Sequence, residues 1–177
     1  MIKASVLVLT IIVLMIGSVG AFALNDSAAH DVTMQVVEIA LVDLNNVGAI
    51  TLTTNAPAAG GDNPTGDTDA TKLLQYTSLV ATGLTRNITV AWGGTDAAPA
   101  GTSLKVLADT AALGAECGSA AAQVTISSVA TNLITGIGSC ATGTGANGAS
   151  LTYTFSLDTI ASLLVGDNKT VTITFTL

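Results

Sequence analysis

The chain has 177 residues, of which 49% are hydrophobic and only 10% are charged, and its formal net charge is −7. The five Lys and Arg residues are dispersed, which argues against a phosphate-binding surface and a nucleic-acid partner. Abundant Thr and Gly, with little Leu, Glu or Lys at helical spacing, disfavour a helical bundle and favour exposed β-sheet.

The N-terminal residues have the pattern of a secretory signal peptide. Lys3 precedes a continuous apolar run, and Ala21-Phe22-Ala23 fits the small-residue cleavage motif. The sequence therefore predicts a signal peptide over residues 1–23, a single domain over residues 24–177, and a secreted or cell-envelope protein in the periplasm or at the cell surface. Two alternatives stay open: an uncleaved leader kept as a membrane anchor, and a type IV pilin-like leader cut near Lys3.

The rest of the chain reads as about nine short strands separated by turn signals, the spacing of a β-sandwich or barrel. The loops between them are rich in Gly, Ala and Asp, and the longest runs over residues 55–71. The connection over residues 158–169 is expected to form a helical turn that plugs one end of the core with Ile160, Leu163 and Leu164. The predicted strands are residues 30–44, 49–54, 72–80, 85–92, 103–108, 123–128, 132–137, 150–157 and 170–177.

The first predicted strand begins close to the predicted cleavage site. Val32, Met34 and Val36 alternate with polar residues, as on an extended strand with one apolar face. A helix over residues 34–44 is the alternative, but its β-branched flanks and missing cap favour strand. The apolar phase then shifts by one residue to Val37, Ile39 and Leu41, which predicts a β-bulge or a strand that changes sheets.

The last predicted strand, T-V-T-I-T-F-T-L over residues 170–177, alternates Thr with apolar residues. Residues 150–157, S-L-T-Y-T-F-S-L, repeat this pattern, so each strand has one face for a core. These two strands are expected to lie centrally in a sheet or to pair with each other. Trp92, Tyr153, Phe155 and Phe175 are in phase with apolar neighbours, which predicts core packing rather than a carbohydrate-binding platform.

The two cysteines, Cys117 and Cys140, both lie in loops rich in Gly and Ala. An even number of cysteines in an exported chain predicts a disulfide, which would contribute roughly 3 kcal/mol by constraining the unfolded chain. A two-Cys metal site has no suitable partner, since His30 is the only histidine and is distant in sequence.

Three acidic residues, Asp62, Asp67 and Asp69, crowd into the long loop over residues 55–71. Their oxygen atoms are ligands that Ca²⁺ accepts, but the spacing matches no EF-hand. A solvated surface loop is the more ordinary interpretation. The sequence therefore predicts no metal and no cofactor, with these residues as the candidates for calcium.

No combination of residues predicts catalysis. His30 and Ser27 could form only a fragment of a triad, and no G-x-S-x-G elbow is present. Asp43 and Asp109 could act as a carboxylate pair in a hydrolase, but nothing in the sequence brings them together. The sequence therefore predicts a protein that is not an enzyme.

The segments L-T-Y-T-F-S-L (151–157) and T-V-T-I-T-F-T-L (170–177) resemble the C-terminal ends of bacterial fimbrial and spore-coat-U-type secreted subunits. The resemblance covers about the last third of the chain at the level of pattern. It implies an immunoglobulin-like sandwich that assembles by receiving a strand from a neighbouring subunit. Unlike in those subunits, the cysteines of this chain lie late and not near the first strand.

The predicted fold is an all-β, immunoglobulin-like antiparallel sandwich of about 7–9 short strands. The predicted function is structural or adhesive contact within a surface assembly, with like subunits or another envelope protein as partners. Val32, Met34 and Val36 would add to a groove of the partner by β-augmentation. The alternative is an extracellular binding module that depends on carbohydrate or calcium. Contact with a membrane is expected only through an uncleaved leader.

Overall fold

The computed structural model describes residues 28–93 and 97–177. The chain divides into one unit over residues 1–35 and a second over residues 36–177. In the first unit, residues 28–35 are exposed and have no regular secondary structure. The predicted signal peptide, residues 1–23, lies outside the described residues.

The second unit consists of short strands and two single-turn 3₁₀ helices, η1 (Ala115–Cys117) and η2 (Ile160–Ser162). Turns and irregular segments join these elements. The strands are β1 (Ile39–Asn45), β2 (Thr54–Asn55), β3 (Thr65–Gly66), β4 (Thr68–Leu79), β5 (Arg86–Trp92), β6 (Thr102–Asp109), β7 (Ser119–Ala120), β8 (Val124–Thr125), β9 (Thr131–Ile137), β10 (Cys140–Ala141), β11 (Ala149–Leu157) and β12 (Ile173–Thr176).

The longer strands form two antiparallel sheets. The first sheet has the order β1-β4-β11-β6-β8, and β10 also pairs with β4. The second sheet has the order β12-β5-β9-β7. Strands β2 and β3 form a separate two-stranded ladder. The prediction of an all-β antiparallel sandwich is therefore confirmed, whereas its immunoglobulin-like subtype stays a prediction.

The core lies between the two sheets and is built by alternation along the strands. In β4 every second residue from Lys72 to Ser78 is buried, and in β11 the buried positions are Ala149, Leu151 and Tyr153. This period of two follows from side chains that alternate between the faces of a strand. Fully buried aliphatic residues come from both sheets: Leu74, Val106 and Leu151 from the first, and Ile88, Val90, Leu133, Ile134 and Ile137 from the second.

The two similar strands near the C-terminus lie in different sheets. Strand β11 is central in the first sheet, between β4 and β6, as predicted. Strand β12 is the end strand of the second sheet and pairs with β5, so the expectation that it is central or pairs with β11 is wrong. The alternation along β12 is correct, because Ile173 and Phe175 pack against the core while Thr174 and Thr176 are exposed.

The first predicted strand is shorter and differently phased. It begins at Ile39 instead of residue 30, and Leu41, predicted to face inward, is 64% exposed. Val42 and Leu44 pack against the core instead. The pairing of β1 with β4, not the apolar phase of the isolated sequence, sets which face is inward, because a shift of one residue exchanges the two faces of a strand.

The long loop over residues 55–71 contains more structure than predicted. The ladder of β2 with β3 lies within it, and β4 already begins at Thr68. The Phe155 N–H donates to the Asp67 carbonyl over 2.9 Å, so this segment runs against β11. A Cβ atom at Gly66 would lie 1.7 Å from the Phe155 carbonyl oxygen, and this close approach requires glycine.

The connection over residues 158–169 does not plug the core. Ile160 is 40% exposed, Leu164 is 72% exposed and Val165 is fully exposed, while only Leu163 is half-buried. The helical turn exists as η2, but it is a single 3₁₀ turn. The segment just before η2 is bound to the turn at Gly101. The backbone N–H groups of Asp158 and Thr159 both donate to the Gly101 carbonyl.

The buried Tyr76 hydroxyl joins the first sheet to η1. It donates a hydrogen bond of 2.6 Å to the Cys117 carbonyl, and the residue is only 3% exposed. Burial raises the pKa of Tyr76 to about 12, because the phenolate would lose its solvation. The pKa of Tyr153 is also raised, mainly by burial and secondly by the charge of Asp69.

We expect the fold to lose stability between about pH 10 and pH 12, the ordinary pKa of a tyrosine and the pKa of Tyr76. In this window the unfolded chain has released the phenol proton and the folded chain still holds it, so rising pH favours unfolding. At pH 11 this difference in the pKa of Tyr76 lowers the free energy of unfolding by about 1.4 kcal/mol. Urea unfolding at pH 9 and pH 11 measures it, with Tyr76→Phe as the reference. Equal pH dependence of the two proteins would contradict the assignment.

Candidate functional site

An open apolar groove lies where the end strands of the two sheets approach each other. Its volume is about 270 Å³. One wall comes from β1 and the turn that follows it, and the other comes from β12. The residues that line it are Val42, Asp43, Leu44, Val47, Leu74, Ile173, Thr174 and Phe175. Unpaired edges beside an apolar groove are the features to which an extended segment can add.

The opposite ends of the two sheets are closed. Strands β8 and β7, which end the first and second sheets there, have two residues each. The chain between β6 and β9 passes over this side, where the Ala120 N–H donates to the Thr110 hydroxyl and the Ile126 N–H donates to the Leu104 carbonyl. The long open edges are therefore confined to the side of β1 and β12 among the described residues.

A disulfide joins Cys117 and Cys140, as predicted. Their Cα atoms are 5.3 Å apart. Cys117 ends η1, which contacts β9 of the second sheet, and Cys140 begins β10 of the first sheet. The bond therefore links the two sheets covalently, and it is consistent with an oxidising extracellular or periplasmic environment.

A buried lysine holds the turn at one end of the groove. Lys72 is 7% exposed, and its ammonium donates to the Asn46 carbonyl over 2.7 Å and to the Gly48 carbonyl. Asn46 has a left-handed backbone, with φ of 63°, a conformation that asparagine tolerates in turns. This turn presents Val47, which lines the groove and is 83% exposed.

An ion pair fixes the chain just before β1. The Arg86 guanidinium at the start of β5 binds the Glu38 carboxylate. Arg86 belongs to the second sheet, whereas β1 belongs to the first. The pair therefore holds the entry to β1 against the neighbouring sheet, although its partial exposure makes its contribution to stability small.

The predicted donor residues precede this anchored point. Val32 is 67% exposed, and Met34 and Val36 are each 89% exposed. Residues 28–38 have no strand assignment, so the predicted strand does not form there. Three apolar side chains at alternate positions are thus available to solvent instead of packing against a sheet.

The candidate calcium ligands do not form a common site. Asp62 is exposed, Asp67 accepts from the Thr68 N–H, and Asp69 accepts from the N–H and hydroxyl of Thr71. Within residues 28–93 and 97–177, no three His, Cys, Asp or Glu residues are grouped so that they could hold a metal ion. The carboxylates of Asp67 and Asp69 instead accept hydrogen bonds within their own segment.

The carboxylates considered for hydrolysis are far apart. Asp43 lies in β1 and Asp109 ends β6, with β4 and β11 between these strands. Three strand spacings correspond to roughly 14 Å, more than the separation that glycosidase carboxylates use. His30 is exposed, and Ser27 lies outside the described residues.

Three of the four aromatic residues pack against the core as predicted. Tyr153 is 3% exposed, and Trp92 packs half-buried against the core. Phe175 packs against the core and also lines the groove. Phe155 is half-buried. These four side chains therefore do not form an exposed aromatic platform.

The groove was not predicted from the sequence. Leu44, Val47, Ile173 and Phe175 are distant in sequence and come together only because β1 and β12 end their respective sheets on the same side. Val47 in the Asn-rich turn gave no signal of an opening, because single exposed aliphatic residues are common on protein surfaces. No helix long and apolar enough to cross a membrane is found in the described part of the chain.

Comparison with protein-family models, curated proteins and solved structures gives no match to this chain.

Proposed function

We propose that this protein is a structural subunit of a secreted or cell-surface assembly, in which one copy adds a strand to the groove of the next. The observation that supports this most directly is the apolar groove between two unpaired sheet edges. A soluble sandwich usually protects its edges, because exposed edges lead to association. Here the longer edges are left open beside apolar side chains.

The proposed occupant is the segment over residues 30–37 of a second copy. Apolar side chains recur at every second residue of this segment, at Val32, Met34 and Val36. The groove residues Ile173 and Phe175 of β12 have the same spacing. An added strand would therefore direct one apolar side chain after another into the groove. Their exposure also leaves these side chains without burial in the described fold, so docking would remove apolar surface from water.

Size-exclusion chromatography with light scattering tests the proposal on the exported protein with and without residues 24–37. We expect concentration-dependent oligomers of the complete protein and a monomer after the deletion. Identical monomeric behaviour of the two proteins would refute the proposal.

A pair of full-length variants tests whether oligomers require the apolar face of residues 30–37 and not only the presence of this segment. Val32→Asp combined with Met34→Asp is expected to abolish oligomers, because it places carboxylates where the groove is apolar. Thr33→Asp combined with Gln35→Asp adds the same charge to the other face and is expected to retain most oligomers. Equal loss in both variants would point to charge rather than to strand insertion.

A further inference from the structure

We propose that the incoming strand forms its backbone hydrogen bonds with β12, and that Asp43 keeps it from pairing with β1. This inference rests on the proposed function, since it takes the segment around Met34 of a second copy as the strand that docks. It specifies which of the two open sheet edges pairs with the incoming strand, and which residue determines that choice.

Backbone groups of β12 face the open edge at Ile173 and Phe175. The Gly93 N–H donates to the Thr172 carbonyl over 3.1 Å, so Thr172 directs its backbone toward β5. The Trp92 N–H, opposite Ile173, donates in the other direction to the Ser127 carbonyl. Residues of an antiparallel strand alternate in the direction of their backbone groups. Ile173 and Phe175 therefore present theirs to an added strand.

In the same alternation, Val42 and Leu44 direct their backbone groups to the open edge of β1. Tyr76, opposite Val42, directs both backbone groups away from β1: its carbonyl accepts from the Thr142 N–H, and its N–H donates to the Thr142 hydroxyl. The Leu44 N–H, however, already donates to the Asp43 carboxylate over 2.8 Å. A strand added to β1 would have to break this bond.

Charge also distinguishes the two edges. The proposed donor contains Asp31 and is followed by Glu38, and β1 carries Asp43 near its centre. The segment over residues 170–177 contains no acidic residue. Pairing with β1 would bring carboxylates together and remove water from the Asp43 carboxylate, which costs free energy without a cation partner. Charged residues on edge strands commonly prevent such pairing.

Amide hydrogen exchange measured by NMR tests the choice of edge on the full chain. The Met34→Asp variant keeps its own segment out of the groove, and a synthetic peptide of residues 29–38 with the natural sequence is added to it. We expect exchange of the Ile173 and Phe175 amides to slow on the order of tenfold or more, with little change at Val42 and Leu44. The same peptide with Met34→Asp is the control and should protect neither edge.

The outcomes separate this inference from the proposed function. Protection of Val42 and Leu44 without protection of Ile173 and Phe175 would overturn the assignment to β12 while leaving strand addition intact. Protection at neither edge would overturn both.

A second variant tests the part assigned to Asp43. With Asp43→Ala added to the Met34→Asp chain, the Leu44 N–H loses its acceptor, and we expect the peptide to slow exchange at Val42 and Leu44 as well. Asp62→Ala removes the same charge from an exposed loop and should leave the β12 pattern unchanged. If the peptide still does not slow exchange of the Val42 and Leu44 amides in the chain with Asp43→Ala, Asp43 does not direct the strand.

Discussion

Replacing Cys117 and Cys140 together by serine is expected to lower the free energy of unfolding by about 3 kcal/mol. The bond closes a loop between residues 23 apart in sequence, and without it the unfolded chain gains conformational freedom. Both positions are buried, at 6% and 8% exposure, so each serine hydroxyl also needs a hydrogen-bond partner in an apolar setting. Urea unfolding of the two proteins, monitored by circular dichroism, measures the difference.

The natural protein treated with a reducing agent is the matched control, since it loses the bond without a change of side chain. We expect it to unfold close to the serine variant. A loss below about 1 kcal/mol in both would contradict the role given to the disulfide, because a loop of this length should constrain the unfolded chain more strongly. The proposed assembly through the groove should persist wherever the serine variant stays folded, since neither cysteine lines the groove.

The sequence predicted the interior of the sandwich well because alternation is a local property. Leu74, Ile88, Val90 and Val106 are fully buried on the faces that their spacing predicts, and Leu151 and Tyr153 follow the same rule. For each of these strands, the period of two, the β-branched composition and the flanking turn residues all predict the same strand. The disulfide followed from the count and position of the cysteines in the same way.

The errors occur where partners distant in sequence decide the structure. Leu41 belongs to an apolar pattern, but the register of β1 against β4 turns it outward. The sequence of β12 is typical of a central strand, yet within the described ranges only β5 pairs with it. Which strand ends a sheet depends on the order of the whole sheet, and strand order is not encoded in the alternation of one strand.

The candidate groove could not be predicted for the same reason. It joins residues 42–47 with residues 173–175, and neither segment shows by itself that it borders an opening. The sequence did predict a donor segment, because an apolar alternation near the predicted cleavage site is visible without any contact. The structure adds a groove that could accept such a segment, so both halves of the proposal are testable by substitution.

Val47→Asp is expected to weaken assembly on the order of 100-fold without unfolding the subunit. Val47 is 83% exposed in the isolated subunit, so a carboxylate there is solvated and leaves the core unchanged. In the proposed assembly the same position would line an occupied groove. The carboxylate would then lose water and face apolar side chains, and the burial of the valine would be lost. Analytical ultracentrifugation over a range of concentrations measures the dissociation constant.

Val129→Asp is the matched control, because Val129 is 71% exposed and lies outside the groove. It introduces the same charge and removes the same side chain, so solubility and net charge change equally in both variants. Thermal unfolding should show that both variants stay folded. Equal weakening in the two variants would mean that added negative charge, not occupation of the groove, controls association. Weakening confined to Val47→Asp would require that this end of the groove is covered when two copies meet.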